Sequence, residues 1–194
     1  IGMTGTPAIV EIVADCLRSN SLKIVYDPVV ASSTGDSLLQ EEGLSALWKR
    51  LLARVTFLTP NIGELELLSN RRIHFAREAV AGAEYLLATL PRLEAVVIKG
   101  GHLGMDASTI QDFLVLRGGE IHESTRRRYR TFHLHGTGCT YASALASFLC
   151  LGHDTLSAFH RAGDYMDRLI AAGLDESIVK GDSNGPLLHH RLCR

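Results

Sequence analysis

The sequence predicts an α/β fold, and three observations support this. Short apolar runs rich in β-branched residues alternate with stretches whose apolar residues recur at helical spacing. Each of these runs ends at a proline or at a pair of glycines, which are residues that stop strands. A Gly-rich turn then leads directly into a stretch of small helix-forming residues, "HGTGCTYASALA". We therefore expect one sheet covered by helices.

The first half of the chain gives four helices and three strands, and the third and fourth helices are a short one at "NIGELELL" and a longer one that carries Ala79 to Leu90 and ends at Pro91. Thr6 and Pro7 are typical of an N-cap and a first helical position, and an apolar helical face follows them. A second amphipathic helix is predicted over residues 44–52. The strands are predicted at residues 22–28, 55–61 and 94–101.

The second half continues with a hairpin and two long helices. The hairpin turns at Gly118-Gly119 and is followed by "RRRYR", residues 126–130, which we expect to be a solvated edge strand. The next helix starts in the Gly-rich turn, and Asp154 caps the last one. Cys16 and Cys150 fall on apolar helical faces, so we expect both in the core.

Composition narrows the possible functions. The chain has 194 residues, is 46% hydrophobic and 21% charged, and carries a formal net charge of −1, so no overall positive field attracts nucleic acid. Its apolar runs are too short to cross a membrane, and it opens without a signal-peptide pattern. The four cysteines include no C-x-x-C pair, which argues against a zinc knuckle. Free thiols favour a cytoplasmic location.

Polar residues follow the predicted strands. Asp27 follows the first strand, Asn61 and Glu64 follow the second, and Lys99 follows the third. Ligands of open α/β sheets bind beyond the carboxyl ends of the strands. Asn61 and Glu64 share a helix face and suit magnesium reached through water, or they are a cap and an exposed acid. Lys99 is a phosphate contact or a solvated lysine, and Asp27 is a ligand or a turn residue.

The "GTGC" turn, residues 136–139, suits an anion. A helix N-terminus exposes unpaired N–H groups and a partial positive charge, and glycines let the backbone come close to a phosphoryl group. Cys139 at this turn is expected to have a lowered pKa and to accept a proton from a substrate hydroxyl. The alternatives are a helix start with flexible glycines and a small buried cysteine.

Four stretches, in this order, resemble one known group of enzymes: "YDPVVASSTGDSLL", "LTPNIGELELL", "VVIKGGH" and "HGTGCTYASALA". They are similar to the ribokinase-like superfamily and, within it, to the hydroxymethylpyrimidine/phosphomethylpyrimidine kinases of thiamine biosynthesis. The resemblance covers almost the whole chain. It implies a three-layer fold with a central, mostly parallel sheet flanked by helices. It also implies transfer of the γ-phosphate of ATP to 4-amino-5-hydroxymethyl-2-methylpyrimidine, and then of a second phosphate.

The resemblance also implies roles for individual residues. It makes Cys139 the catalytic base and the "GTG" turn the anion hole, formed by Gly136, Thr137 and Gly138. The residues implied in ATP binding are Asn61, Lys99, Thr137 and Gly138. Those implied in holding Mg²⁺ are Glu64 and Asp27, and those implied in lining the pyrimidine pocket are Met3 and Val29.

Two departures from the family pattern stand out. Ser33 occupies a position where many members have a lysine, which removes one expected phosphate contact. The chain also starts where the family is already under way, so we expect residues 1–194 to be a single kinase domain that lacks the N-terminal strands. A cytoplasmic homodimer is expected, with small-molecule substrates and no nucleic-acid or membrane partner.

Two other functions remain open on the sequence. A pyridoxal or pyridoxine kinase of the same superfamily acts on a similar heteroaromatic alcohol. A non-catalytic relative that only binds nucleotide or pyrimidine is the alternative of another class, although such a module has no need of a base such as Cys139.

Overall fold

The computed structural model describes residues 1–18, 21–29, 47–100, 108–129, 131, 134–174 and 185–192. Within these residues, the α-helices and β-strands in chain order are α1 (Pro7–Cys16), β1 (Val25–Tyr26), β2 (Phe57–Leu58), α2 (Ile62–Ser69), α3 (Ala76–Thr89), β3 (Ala95–Ile98), β4 (Thr109–Leu116), β5 (Ile121–Arg127), α4 (Thr137–Cys150) and α5 (Thr155–Ala172). A π-helical turn (Leu47–Leu51) and two 3-10 turns (Leu52–Arg54 and His189–Arg191) accompany them.

The strands form one mixed sheet. Over the described residues its order is β1-β2-β3-β4-β5, which is also the order along the chain. The first three strands are parallel, with Val25 opposite Phe57 and Phe57 opposite Ala95. The last two strands are antiparallel to their neighbours, and β4 and β5 form the predicted hairpin. The parallel strands therefore end at the same edge of the sheet.

Two apolar cores cover the two faces of the sheet, because alternate strand residues point to opposite sides. One core joins Tyr26, Leu58, Val96 and Ile98 to helices α1, α2 and α3. The other joins Val25, Phe57, Ala95 and Val97 to helices α4 and α5. This arrangement is the predicted three-layer α/β architecture, with the sheet in the middle.

Several predicted boundaries are confirmed. The Thr6 side chain accepts a hydrogen bond from the Ile9 N–H at 3.4 Å, and Pro7 opens α1. Asp154 caps α5 by accepting from the Ser157 N–H at 2.8 Å. The β4–β5 hairpin turns at Gly119, whose φ of +88° lies in the left-handed region that favours glycine.

Other expectations need correction. The predicted helix over residues 44–52 is present only from Leu47, as the π-helical and 3-10 turns, and its first residues lie outside the described part of the chain. The three parallel strands are shorter than predicted. Cys16 and Cys150 are exposed, because each falls at the last residue of its helix, beyond the packed face.

The basic stretch after the hairpin is also different from the expectation. Arg126 lies in β5, but its side chain is only 11% exposed and pairs with two carboxylates instead of facing solvent. The last residue of the "RRRYR" stretch lies outside the described part of the chain.

Among the described residues, no helix has the length and apolar content needed to cross a bilayer.

Candidate active site

The polar residues at the ends of the three parallel strands meet, as the sequence predicts. Asp27 follows β1 directly, and Lys99 follows β3. The Lys99 Nζ lies 2.6 Å from the Asp27 Oδ1 and 3.9 Å from the Glu64 Oε2. The Lys99 backbone is fixed by a hydrogen bond from its N–H to the Pro60 carbonyl at 2.9 Å, next to the end of β2. One ammonium group therefore bridges carboxylates from two neighbouring strand ends.

Asn61 and Glu64 form a reciprocal cap at the start of α2. The Glu64 N–H donates to the Asn61 Oδ1 at 2.9 Å, and the Asn61 N–H donates to the Glu64 Oε2 at 2.7 Å. The capping interpretation is thus right for Asn61. The alternative that Glu64 is an exposed acid is wrong, because the residue is 6% exposed and its carboxylate faces Lys99.

Burial governs the charge state of this cluster. It raises the pKa of the Glu64 carboxyl group, and the nearby Asp27 charge adds to that effect. The Lys99 ammonium and the Asn61 N–H act in the opposite direction. Asp27 is itself only 2% exposed. Lys99 therefore places its ammonium group beside both buried carboxylates, and it is not a solvated lysine.

The start of α4 closes against this cluster through glycines. Gly136 is the N-cap residue and has φ of +88°, which an L side chain rarely adopts. At Gly138 a Cβ atom would lie 3.0 Å from the Lys99 Nζ and 3.6 Å from the Asp27 Oδ2. The glycine at 138 is therefore needed to let Lys99 and Asp27 approach the first turn of the helix.

The first turn of α4 carries backbone donors beside this cluster. The Thr137 N–H donates to the Leu134 carbonyl at 3.3 Å, and the Thr140 N–H donates to the Gly136 carbonyl at 2.9 Å. The amides of Gly138 and Cys139 lie between these two bonds, in the turn where a helix lacks partners for its N–H groups.

Cys139 is exposed and lies beside Asp27. Partial burial of the sulfur raises the pKa of its thiol, and the hydrogen bond to the Asp27 carboxylate and the negative charges of Asp27 and Glu64 raise it further. Lys99 only partly opposes them. The expectation of a lowered pKa at a helix N-terminus is therefore wrong here, because burial of the thiol and then the neighbouring carboxylates raise the pKa. The thiol is not packed into the core.

Of the predicted pyrimidine-pocket residues, Val29 lies two residues after Asp27, and Met3 lies two residues after Ile1. The Met3 side chain is 62% exposed, and Val29 is half-buried. The chain near Met3 runs beside β1, because the Asp27 N–H donates to the Ile1 carbonyl at 2.9 Å. Ser33 lies outside the described residues.

Two features of the site were not predicted from the sequence. Thr59 is fully buried, and its hydroxyl lies 3.3 Å from the Asp27 Oδ1, where it donates to the carboxylate. Its position just after β2, in the "LTPN" stretch, is the signal that would have indicated it. In addition, an open groove with a volume of about 520 Å³ runs from Cys139 along α4 to Ser147 and is bordered by His189.

The donor set suits a magnesium ion with few protein ligands. Among the described residues, no group of three or more His, Cys, Asp and Glu side chains is close enough to enclose a metal. Two buried carboxylates, Asp27 and Glu64, nevertheless lie around the same ammonium group. Magnesium keeps several waters and is usually held by one or two carboxylates together with substrate phosphates.

Comparison with known proteins agrees with this geometry. A family model described as phosphomethylpyrimidine kinase matches residues 1–187. The chain belongs to this family. The hydroxymethylpyrimidine/phosphomethylpyrimidine kinase of Haemophilus influenzae is 35% identical over 196 residues, which cover 100% of this chain and 71% of that protein. The family assignment therefore rests on nearly the whole sequence, including every residue of the cluster.

Solved structures show the ribokinase-like fold expected of a phosphomethylpyrimidine kinase. The phosphomethylpyrimidine kinase of Clostridium difficile has a TM-score of 0.73 at 29% identity, over 88% of this chain and 67% of that one. The pyridoxal kinase of Staphylococcus aureus in complex with ADP has a TM-score of 0.80 at 26% identity, over 100% of this chain and 68% of that one. Both structures are kinases.

Replacing Gly138 tests the close approach of Lys99. In Gly138→Ala the new Cβ pushes the Lys99 Nζ away, and we expect phosphotransferase activity to fall about tenfold, since displacements well below 1 Å already reduce catalysis. The flexible lysine can move aside, so the thermal midpoint should change little. Gly118→Ala is the control, because a Cβ there meets open space and the backbone is not left-handed. Equal activity of the two variants would show that the contact is unimportant.

The raised pKa of Cys139 is tested by alkylation. In the nucleotide-free protein, the rate at which iodoacetamide modifies Cys139 should rise with pH about a midpoint above that of free cysteine, about 8.5, because only the thiolate reacts. Asp27→Asn removes a neighbouring negative charge and should lower the midpoint. Peptide mass spectrometry separates Cys139 from Cys16 and Cys150. A midpoint below that of free cysteine would instead support control by the helix N-terminus.

Proposed function

We propose that the chain carries the catalytic domain of a kinase that phosphorylates 4-amino-5-hydroxymethyl-2-methylpyrimidine and then its monophosphate, using ATP, for thiamine biosynthesis. The observation that carries this proposal is the convergence of Lys99, Asp27 and Glu64 on the first turn of α4, beside Cys139. Phosphoryl transfer depends mainly on positioning and charge stabilisation, and this cluster supplies both.

Two kinds of donor would hold the transferred phosphate. The Lys99 ammonium is a strong point charge at the end of β3, and the amides of Gly138 and Cys139 are donors in the first helical turn. Gly136 and Thr137 set the geometry of that turn, since Gly136 alone supplies the left-handed backbone. Lys99 already lies against this turn, which would limit the reorganisation that accompanies the charge developed during transfer.

Asp27 and Glu64 would hold the magnesium ion that accompanies ATP. Held there, the ion would supply positive charge that offsets the charge of the phosphates. Both carboxylates are buried, and both already face a cation in Lys99. Asn61 supports Glu64 by donating its N–H to the carboxylate. Asn61 is also proposed to lie on the nucleotide side of the site.

Cys139 would act as the base that takes the proton of the hydroxymethyl group. Its thiol is exposed at the helix start and hydrogen bonds to Asp27. Because the thiol pKa is raised, the thiolate that acts as the base forms only at a higher pH than it does for a free cysteine. Met3 and Val29 are proposed to contact the pyrimidine.

The domain organisation, location, oligomeric state and partners of the protein are also proposed. Residues 1–194 would form a single domain of a cytoplasmic homodimer whose partners are ATP and a small pyrimidine, without nucleic acid or membrane. The chain spans about 70% of the Haemophilus influenzae relative, so the activity is proposed for the complete protein.

Pyridoxal is a second candidate substrate. The structure of a pyridoxal kinase with ADP resembles this chain with a TM-score of 0.80. The two alcohols are both heteroaromatic and carry a hydroxymethyl group, and the cluster around Lys99 acts on the phosphate and not on the ring. The substrate ring is therefore the point on which the two functions differ.

A kinetic comparison tests both the substrate and the base. The complete protein should have a higher kcat/KM for the pyrimidine alcohol than for pyridoxal. Cys139→Ala should lower kcat by about 100-fold or more, the usual contribution of a positioned base. Cys150→Ala, at the exposed far end of the same helix, is the matched control and should keep the wild-type rate.

Three results would contradict this proposal in different ways. A higher kcat/KM for pyridoxal would reverse the substrate assignment. A wild-type rate for Cys139→Ala would show that Cys139 is not the base. Tight binding of ATP and alcohol with no release of ADP would indicate a non-catalytic binding protein.

A further inference from the structure

The end of β3 is held by a side chain where the strand ladder stops. The pairing of β3 with β4 runs from Ala95 opposite Leu116 to Ile98 opposite Phe113. Two residues farther on, the Gly100 N–H donates to the Asp112 Oδ1 at 3.0 Å. A buried carboxylate thus replaces the backbone carbonyl that a continued ladder would have supplied.

Gly100 also fits this place for steric reasons. A Cβ atom at Gly100 would overlap the backbone carbonyl oxygen of Gln111. The main chain after Lys99 therefore lies directly against β4, and two contacts from β4 define its position. Lys99 itself is the residue immediately before this pinned glycine, and its ammonium reaches Asp27 at 2.6 Å.

Asp112 is held in turn by Arg126. The Arg126 Nη2 lies 2.5 Å from the Asp112 Oδ2, and the Arg126 Nη1 lies 2.7 Å from the Asp167 Oδ1 on α5. The Asp112 side chain is 3% exposed. A carboxylate this buried needs a charged partner, and the planar guanidinium ties it to both β5 and α5. We call Asp112, Arg126 and Asp167 the β4–β5–α5 ion network.

A glycine in α5 makes room for this network. A Cβ at Gly163 would lie 3.0 Å from the Arg126 Cδ and 3.2 Å from its Nε. Glycine is unfavourable inside a helix, and Gly163 lies in the interior of α5. The close passage of the arginine side chain across the helix is the feature of this structure that requires a residue without a side chain there.

We propose that the β4–β5–α5 ion network is a positioning device for the phosphate-binding lysine. By fixing Asp112 it fixes the Gly100 amide, and so sets where the backbone places Lys99 against Asp27 and the start of α4. None of its three side chains needs to touch ATP. This inference rests on the proposed function, because it assumes that Lys99 contacts the phosphates.

The test compares two arginines that hold opposite ends of β3. Arg126→Met removes the network at the Lys99 end of β3. Arg117→Met is the matched control, because the Arg117 Nε donates to the Leu93 carbonyl at 2.7 Å, just before β3 begins. Both variants lose an arginine that holds one end of β3, and the thermal midpoint should fall more for Arg126→Met, because Arg126 is largely buried and Arg117 is exposed. Only the first should disturb the phosphate site.

Steady-state kinetics of the complete protein separate the two effects. Arg126→Met should raise the KM for MgATP about tenfold or more, the size of losing one hydrogen bond to a charged group, with the KM for the alcohol within about twofold of wild type. The affinity for ADP, measured by calorimetry, should fall in parallel. Arg126→Lys, which can still pair with one carboxylate, should recover part of the loss. Arg117→Met should leave the KM for MgATP unchanged.

A second variant keeps the test valid if Arg126→Met does not fold. Gly163→Ala improves helix propensity but forces Arg126 to shift, so it should raise the KM for MgATP while lowering the thermal midpoint less than Arg126→Met does. An unchanged KM for MgATP in Gly163→Ala, or equal effects of Arg126→Met and Arg117→Met, would overturn the inference and leave the proposed function intact. A wild-type protein without phosphotransfer would overturn the proposed function and the inference together.

Discussion

The arrangement of this site depends on one ion pair cluster, in which the Lys99 ammonium lies between the buried carboxylates of Asp27 and Glu64. Two like charges at neighbouring strand ends repel each other, and burial increases that cost. A single cation offsets both, so removing it would leave uncompensated buried charge, which is strongly destabilising. The cluster also explains why Gly138 has no side chain, since the helix start must come close to that cation.

Much of this could be predicted from the sequence, because parallel strands bring their carboxyl ends to one edge of a sheet. Asp27, Asn61 and Lys99 are far apart in the chain, yet each follows an apolar run stopped by a turn. The position of the Gly-rich helix start followed from the same rule. The caps at Thr6 and Asp154 were predictable because they depend on local hydrogen bonds only.

The rest depends on contacts between distant residues. The pKa of Cys139 is raised by burial of its thiol and by Asp27 and Glu64, which come from distant parts of the chain. Arg126 belongs to a run of basic residues that is typical of a solvated edge, but Asp112 and Asp167 lie where they can pair with it. The burial of Glu64 could not be predicted, because its position in the helical repeat of α2 does not show which residues cover it. In each case a long-range charge partner decides the outcome.

The most direct test of the account is a crystal structure of the complete protein with MgADP and aluminium fluoride, an analogue of the phosphoryl group in transfer. We expect the fluoride group within hydrogen-bonding distance of the Lys99 Nζ and of the Gly138 and Cys139 amides, with the metal on the side of Asp27 and Glu64. A fluoride group bound away from the start of α4, with Lys99 still paired to Asp27, would contradict it.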